Sequence, residues 1–186
     1  PQKGRGRALK IAWSTSKARV RAYMDVDLST DIRQIPELVG PILDGRADVC
    51  FGSRLLPASR VERCAKREFI SRSYNRMLQS CLGVHFHDAQ CGFKAISAEA
   101  ADTLLPLIQD NEWFFDTELL VLAERMGIAS CEFAVRWKED PGTTVHIVDT
   151  VRKDLAGIKR LKASEGQTGA TPTSAYRYPL KQAADA

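Results

Sequence analysis

The sequence is poor in the residues that staple or anchor a fold. It has three histidines, and its five cysteines (Cys50, Cys64, Cys81, Cys91 and Cys131) show no CxxC spacing. An odd number without that pattern argues against a disulfide scaffold or a zinc knuckle and fits a reducing compartment. No apolar run approaches the roughly 18 residues of a membrane span. The nearest candidate, around Trp113-Phe114-Phe115 and Leu119-Leu120-Val121-Leu122, is interrupted by Asp116, Glu118 and Glu124. The chain opens Pro1-Gln2-Lys3-Gly4-Arg5 with neither an initiator Met nor a hydrophobic segment behind it. It therefore reads as a fragment without a signal peptide. Internal repeats are absent.

What is present is ordinary for a soluble domain: 186 residues, 44% hydrophobic and 27% charged. That length suits one domain with a buried core, and the charged fraction with an aromatic share of 8% argues against disorder or a collagen-like repeat. The net charge of +4 hides an uneven layout. Residues 1–24 carry seven basic side chains and no acid, residues 54–76 seven against two acids, and residues 152–162 five against Asp154. The remainder keeps eight basic and twenty acidic residues. Basic segments in an acidic chain meet phosphates or an anionic surface, or are solvated helix faces.

Residues 6–17 have helical spacing, with Ala8, Leu9, Ile11, Ala12 and Trp13 as the apolar side. Arg19 to Asp27 alternates as a strand, with Val20, Ala22, Met24 and Val26 on one face and Asp25 and Asp27 ending the other. Ser29-Thr30-Asp31 caps a helix over residues 32–43 that Gly45 ends. A strand over 47–51 leads into a loop at Gly52-Ser53-Arg54, and a helix over 66–82 stops at Gly83. A short segment over 88–96, helices over 98–108 and 116–126, a strand over 130–137 and a helix over 148–162 follow. The alternation is that of an α/β fold, with a folded unit over 1–162 and a Gly/Ser/Thr/Pro/Ala-rich tail over 163–186 expected to be disordered.

Asp25 and Asp27 are the sharpest local feature. An i, i+2 pair at a strand end projects two carboxylates to one side, roughly 6.5–7 Å apart. Such a pair favours a hard divalent ion that completes its shell on substrate phosphate; the plainer reading is a solvated strand-to-loop junction. Arg67 and Ser71 share a helix face near its start, and with Arg54 they make a phosphate site or an exposed amphipathic helix. His85 and His87 lack a second spaced ligand pair, so zinc is not expected. Asp116 is explicable as a helix N-cap with Glu118 in the first turn. Trp113, Phe114 and Phe115 read as core before ligand platform. Lys3 to Lys10 lacks aromatic interleaving and makes a weak nucleic-acid signature.

Taken in order, Lys3-Gly4-Arg5-Gly6-Arg7-Ala8-Leu9, Met24-Asp25-Val26-Asp27-Leu28-Ser29, Gly52-Ser53-Arg54, Lys66-Arg67-Glu68-Phe69-Ile70-Ser71, Asp88-Ala89-Gln90-Cys91-Gly92-Phe93-Lys94 and Trp113-Phe114-Phe115-Asp116-Thr117-Glu118-Leu119 form a recognisable series. It resembles family-2 glycosyltransferases of the dolichyl-phosphate hexose synthase type, closer to the β-glucosyl than to the mannosyl branch. The resemblance covers residues 3 to about 160. It implies a GT-A fold lacking its first βαβ portion, and inverting transfer of a hexose from UDP-glucose or GDP-mannose to polyprenyl or dolichyl phosphate. It also implies Mg²⁺ or Mn²⁺ as cofactor and a peripheral place on the cytoplasmic face of a membrane, with no nucleic-acid partner.

By that resemblance Asp25 and Asp27 hold the metal on the donor, with Gln90 and the Gly92-Phe93 backbone lining the pocket floor. Arg54, Arg67 and Ser71 bind the acceptor phosphate, while Asp116 and Glu118 face sugar and acceptor, Asp116 in a supporting role. Two departures stand out. Nothing matches the family's opening Pro-Ala-Tyr-Asn-Glu-like strand, and Thr144 stands where the Asp140-to-Val145 loop usually carries Lys or Arg, with His146 as a substitute. A saccharide acceptor on the same fold, and a non-catalytic basic module for anions or lipid, are the alternatives.

Overall fold

The structure, a computed structural model, describes residues 3–139, 147–164 and 176–177. Five strands form one sheet: β1 (Val20–Met24), β2 (Val49–Ser53), β4 (Phe93–Ser97), β5 (Ser130–Ala134) and β7 (Tyr176–Arg177). Their order is β1-β4-β2-β5-β7. β4 runs antiparallel to both neighbours, while β2, β5 and β7 are parallel. A second, two-stranded parallel sheet joins β3 (Arg60–Glu62) to β6 (Arg136–Lys138). The helices are α1 (Arg5–Thr15), α2 (Ile35–Leu43) behind a 3₁₀ turn at Ile32–Gln34, α3 (Ala65–Leu82), α4 (Ala98–Leu104), α5 (Phe115–Arg125) and α6 (Ile147–Ala163).

Both faces of the main sheet are covered, so its central strands are buried at every position instead of alternating between core and solvent. Along β2, Val49 and Phe51 enter a cluster with Trp13, Leu78, Phe86, Leu104, Phe114, Phe115 and Leu119. Cys50 enters the opposite cluster with Leu38, Ile42, Phe93, Ala95 and Phe133. On β4 the same period places Lys94 on the side of Ile96, towards α5. Asp31 caps the 3₁₀ turn by accepting the Arg33 N–H, and α3 ends at Gly83 with φ +65, a left-handed conformation that glycine adopts without strain.

Several boundaries differ from the sequence reading. α1 buries Gly6 and Trp13 and half-buries Leu9, while Ala8, Ile11 and Ala12 face outward. Gly6 packs so closely on Phe115 that a Cβ would sit 2.6 Å from that residue's Cβ, and this contact orients the helix. β1 stops at Met24 and both its faces are used: Val20 and Met24 pack towards α2, and Tyr23 packs against Trp13. The predicted strand over 130–137 is two strands broken at Val135, and β3 lies where only a loop is expected. The helix over 98–108 ends at Leu104. Of the tail, Tyr176–Arg177 pairs with Ser130–Cys131; residues 165–175 and 178–186 lie outside the described residues.

Candidate active site

β1 and β2 run to the same edge of the sheet at which β4 begins, since Met24 pairs with Phe93 and Phe51 with Lys94. In α/β sheets this edge, beyond the carboxyl ends of the parallel strands, is where ligands bind. Asp25 and Asp27 lie on a turn past β1, closed by the Leu28 N–H to Asp25 O bond of 3.2 Å, and not on the strand itself. The carboxylates are therefore placed by a turn and not by strand pleat. Asp27 is exposed, its Oδ1 accepting the Ser29 N–H at 3.0 Å. Asp25 donates its backbone N–H to Gly92 O at 2.8 Å, and its carboxylate lies over Gly92. A Cβ on Gly92 would fall 1.9 Å from Asp25 Oδ2, so the missing side chain is the space this carboxylate fills.

Behind the turn lies a network of charges. Arg5, at the start of α1, donates to Asp25 Oδ1 at 2.8 Å, to Asp116 Oδ2 at 2.6 Å and to the Tyr23 hydroxyl at 3.2 Å. Its guanidinium lies 5.0 Å from the Tyr23 and Trp113 ring centroids. Asp116 is 1% exposed, and its Oδ1 takes the Tyr23 hydroxyl and an ion pair with Lys94 Nζ at 3.1 Å. Lys94 is 0% exposed and also donates to Ala89 O at 3.0 Å and Cys91 O at 2.6 Å. Asp116 thus joins α1, β1, β4 and α5. It is not the helix cap: Asp110 Oδ1 accepts the Phe115 N–H at 3.1 Å instead. Burial raises the Asp25 carboxyl above its usual range, and the Arg5 charge opposes that rise without cancelling it.

The loop between α3 and β4 is pinned along its length. Arg54 grips Asp88 through Nε at 2.7 Å, Nη2 at 2.9 Å and its backbone N–H at 3.0 Å. Burial pushes the Asp88 carboxyl up, but the Arg54 charge and hydrogen bonds outweigh it and leave the group at about 2. Asn75 Oδ1 accepts the Ala89 N–H at 2.9 Å, and Gln90 donates its backbone N–H to Asp88 Oδ1 at 3.3 Å and its side-chain Nε2 to Asp154 Oδ2 at 3.2 Å.

The predicted site residues thus divide. Asp25, Asp27, Gly92 and Asp116 are gathered at one edge, and Gln90 belongs to the loop leading into it. Glu118 is committed elsewhere: it accepts the Asp110 N–H at 2.8 Å and Arg160 Nη2 at 2.9 Å, and is 2% exposed. Arg54 is held by Asp88, and Ser71 Oγ accepts from Arg63 at 3.2 Å. Arg67 pairs with Glu139 at 2.5 Å, and the same Glu139 accepts the Cys64 N–H at 3.1 Å. A carboxylate therefore sits at the N-terminus of α3, where the sequence places a phosphate. His85 and His87 are engaged by Glu124 and Glu132 through Nδ1. Thr144 and His146 lie outside the described residues.

Sequence reading assigned no role to Arg5, Tyr23, Lys94, Asp88 or Asp154. Lys94 carried a signal, because a lysine within the apolar run Phe93-Lys94-Ala95-Ile96 needs a buried acid.

Among the described residues no group of three or more His, Cys, Asp or Glu is arranged to hold a metal. Asp25 and Asp27 nevertheless fit a hard divalent ion. One oxygen of each is tied by Arg5 or Ser29, the Oδ2 atoms take no described hydrogen bond, and a burial-raised carboxylate gains from a neighbouring cation. Two carboxylates with the remaining ligands from substrate and water is an ordinary set for Mg²⁺ or Mn²⁺.

The family model for Glycosyl transferase family 2 matches residues 1–105. The chain is 40% identical over 155 residues to Glycosyltransferase AglD of Haloferax volcanii, covering 83% of this chain and 24% of that protein. It is 33% identical over 143 residues to Dolichyl-phosphate beta-glucosyltransferase ALG5C of Trichomonas vaginalis, covering 73% and 42%. It is 28% identical over 166 residues to the Dolichyl-phosphate beta-glucosyltransferase of Dictyostelium discoideum, covering 84% and 51%. The chain thus spans between about a quarter and about half of these relatives. Glucosyl-3-phosphoglycerate synthase from Mycobacterium tuberculosis superposes with a TM-score of 0.63 in its complex with UDP, at 21% identity, over 87% of this chain and 56% of that one. Its complex with Mn²⁺, UDP-glucose and glycerol 3-phosphate gives 0.59 at 20% identity, with the same coverage. The fold is GT-A.

Proposed function

Since this chain belongs to glycosyl transferase family 2, we propose that it supplies the catalytic edge of an inverting hexosyltransferase. The donor is a nucleotide-diphosphate sugar, UDP-glucose before GDP-mannose, and the acceptor is polyprenyl or dolichyl phosphate. The observation that carries this reading is the seating of Asp25 over Gly92, tethered to Arg5, with Asp27 open beside it at the ligand-binding edge of the sheet. The glucosyl donor and the dolichyl acceptor are supported by the dolichyl-phosphate beta-glucosyltransferase relatives, and Mn²⁺ by the complex of the mycobacterial synthase.

The chemistry assigns separate tasks. The acceptor phosphate has a second pKa near ~6, so at neutral pH its oxygen is already a nucleophile and calls for little base catalysis. The nucleophile attacks the anomeric carbon, the bond to the nucleoside diphosphate breaks, and the configuration inverts. Asp25 and Asp27 would hold Mg²⁺ or Mn²⁺, which would supply positive charge to the departing diphosphate. Asp116, saturated by Arg5, Tyr23 and Lys94, acts by fixing Arg5 and through it Asp25. Gln90 and the Gly92 backbone border the hexose. Arg67 at the head of α3 receives the acceptor phosphate when Glu139 gives way, with Ser71 one turn along and Arg54 held by Asp88. Glu118 ties α5 to α6 through Arg160.

The three basic segments suit a peripheral place at the cytoplasmic face of a membrane, where a polyprenyl phosphate is presented. No helix among the described residues is long and apolar enough to cross it. The test is transfer of radiolabelled hexose by the whole protein, offered polyprenyl phosphate and a free saccharide in parallel. Label in the lipid phase is expected; label only in the saccharide would replace the acceptor assignment, and label in neither would overturn the reading.

A further inference from the structure

Asp154 on α6 is the one acid in the basic run over 152–162, and it lies outside the residues that the family model matches. It is 4% exposed, and its Oδ2 accepts Gln90 Nε2 at 3.2 Å. Its Oδ1 is buried with no hydrogen-bond partner among the described residues. Burial of a half-satisfied carboxylate is costly, and a neutral side chain of the same shape would avoid the penalty. The position therefore holds an acid at a stability cost, next to a residue of the loop that enters the site.

The asymmetry of the pair has a chemical consequence. An ionised carboxylate accepts hydrogen bonds and cannot donate them, so the Gln90 carboxamide must turn its NH₂ towards Asp154, which leaves Oε1 on the opposite side. The rest of the loop is already immobilised, with the Gln90 N–H on Asp88 and the flanking carbonyls of Ala89 and Cys91 on Lys94. What remains to be set is the direction of the amide.

We propose that Asp154 is a positioning residue that fixes the polarity of the Gln90 amide, so that Oε1 faces the donor as an acceptor for a hexose hydroxyl. The inference rests on the reading that Gln90 borders the hexose. It gives the site a preference for a sugar bearing a hydroxyl at that position over one lacking it. The groups facing Asp154 are Tyr74 of α3, Gln90 of the loop and Asp110 ahead of α5. Burial raises the Asp154 carboxyl to about 6, with the Asp110 charge adding to the rise and the nearby Tyr74 hydroxyl and Gln90 amide opposing it. Below that pH the carboxyl is protonated and can donate to Oε1, which releases the constraint on the amide.

The test compares UDP-glucose with UDP, each with Mn²⁺ and without acceptor, whose own phosphate titrates in the same range. Binding is measured on the whole protein as wild type, Asp154→Asn, Gln90→Leu and the double variant. At pH 7.5, Asp154→Asn is expected to weaken UDP-glucose by about fivefold, the scale of one hydrogen bond. UDP affinity should hold, and the melting temperature should hold or rise because a buried charge is gone. The double variant should be no weaker than Gln90→Leu. Wild-type UDP-glucose affinity should fall as pH drops through about 6, and Asp154→Asn should lack that limb. Equal losses for UDP and UDP-glucose, or a loss that tracks a lower melting temperature, would overturn the proposal. If Gln90→Leu weakens UDP-glucose while Asp154→Asn does not, the positioning role alone falls. If Gln90→Leu is silent, the donor reading of Gln90 falls and takes this one with it.

Discussion

Two sets of carboxylates meet at Arg5 and are built on opposite terms. Asp116 is sealed, with both oxygens taken by Arg5, Tyr23 and Lys94. Asp25 and Asp27 sit on a turn, each with an oxygen that no described group binds, and Asp27 is open to water. A buried ion pair stays tolerable only while every member keeps its partners, so the sealed set is a commitment of the fold. An exposed carboxylate costs the fold little, so the open pair can be kept for a ligand. The difference separates residues that hold the site's shape from residues that meet the substrate, although all three are aspartates at one sheet edge.

The comparison breaks most visibly at Lys94. Lys94→Met deprives Asp116 of a buried partner and two carbonyls of their donor, and should cost roughly 3–5 kcal/mol in urea denaturation. A loss under about 1 kcal/mol would mean that the Asp116 network is not held by its charges. The Arg54–Asp88 pair makes the same point through pH. The Asp88 carboxyl falls from 3.8 to about 2 on folding, so its contribution is complete above pH 3.8 and is lost as pH falls towards 2. About 2 kcal/mol should disappear over that window, and Arg54→Met should flatten the acid limb in a pH series of denaturation curves.

Gly92→Ala probes the seam between the two sets. Its Cβ would displace the Asp25 carboxylate, so stability should fall by roughly 1–2 kcal/mol and Mn²⁺ affinity should fall with it. Unchanged Mn²⁺ binding would detach Asp25 from the metal. At the small end, Arg67→Ala removes a half-exposed pair with Glu139 and should move stability by no more than ~1 kcal/mol, while raising the KM for polyprenyl phosphate. An unchanged KM would move the acceptor away from the head of α3.

The open set was far more legible in sequence than the sealed one. Asp25 and Asp27 stand out because like charges two residues apart after an apolar strand invite a ligand, and Gly52-Ser53-Arg54 and Gly83 mark the ends of β2 and α3 by local chemistry. The face of α1 was misjudged because Ala8 and Ile11 are apolar but outward, whereas the burial that matters is the contact of Gly6 with Phe115, a glycine no hydropathy pattern scores. β3 escaped, and β6 was merged with β5, because each is three residues long and the two pair across 76 positions of chain. The partnerships of Asp116 with Arg5 and Lys94 are long-range as well. Periodicity shows that a buried lysine needs an acid without saying which acid supplies it. Glu118 shows the converse: a motif places it in the site, while packing gives it to Asp110 and Arg160.

The central claim is that the open carboxylates do the chemistry and the sealed one holds the shape. Hexose transfer by Asp27→Ala in the presence of Mn²⁺, with its melting temperature recorded alongside, tests it most directly. The melting temperature should stay within about 2 °C of wild type, while transfer falls by about 10²–10³-fold, the scale of losing charge stabilisation at a departing group. Transfer at the wild-type rate from a fully folded Asp27→Ala protein would contradict the claim.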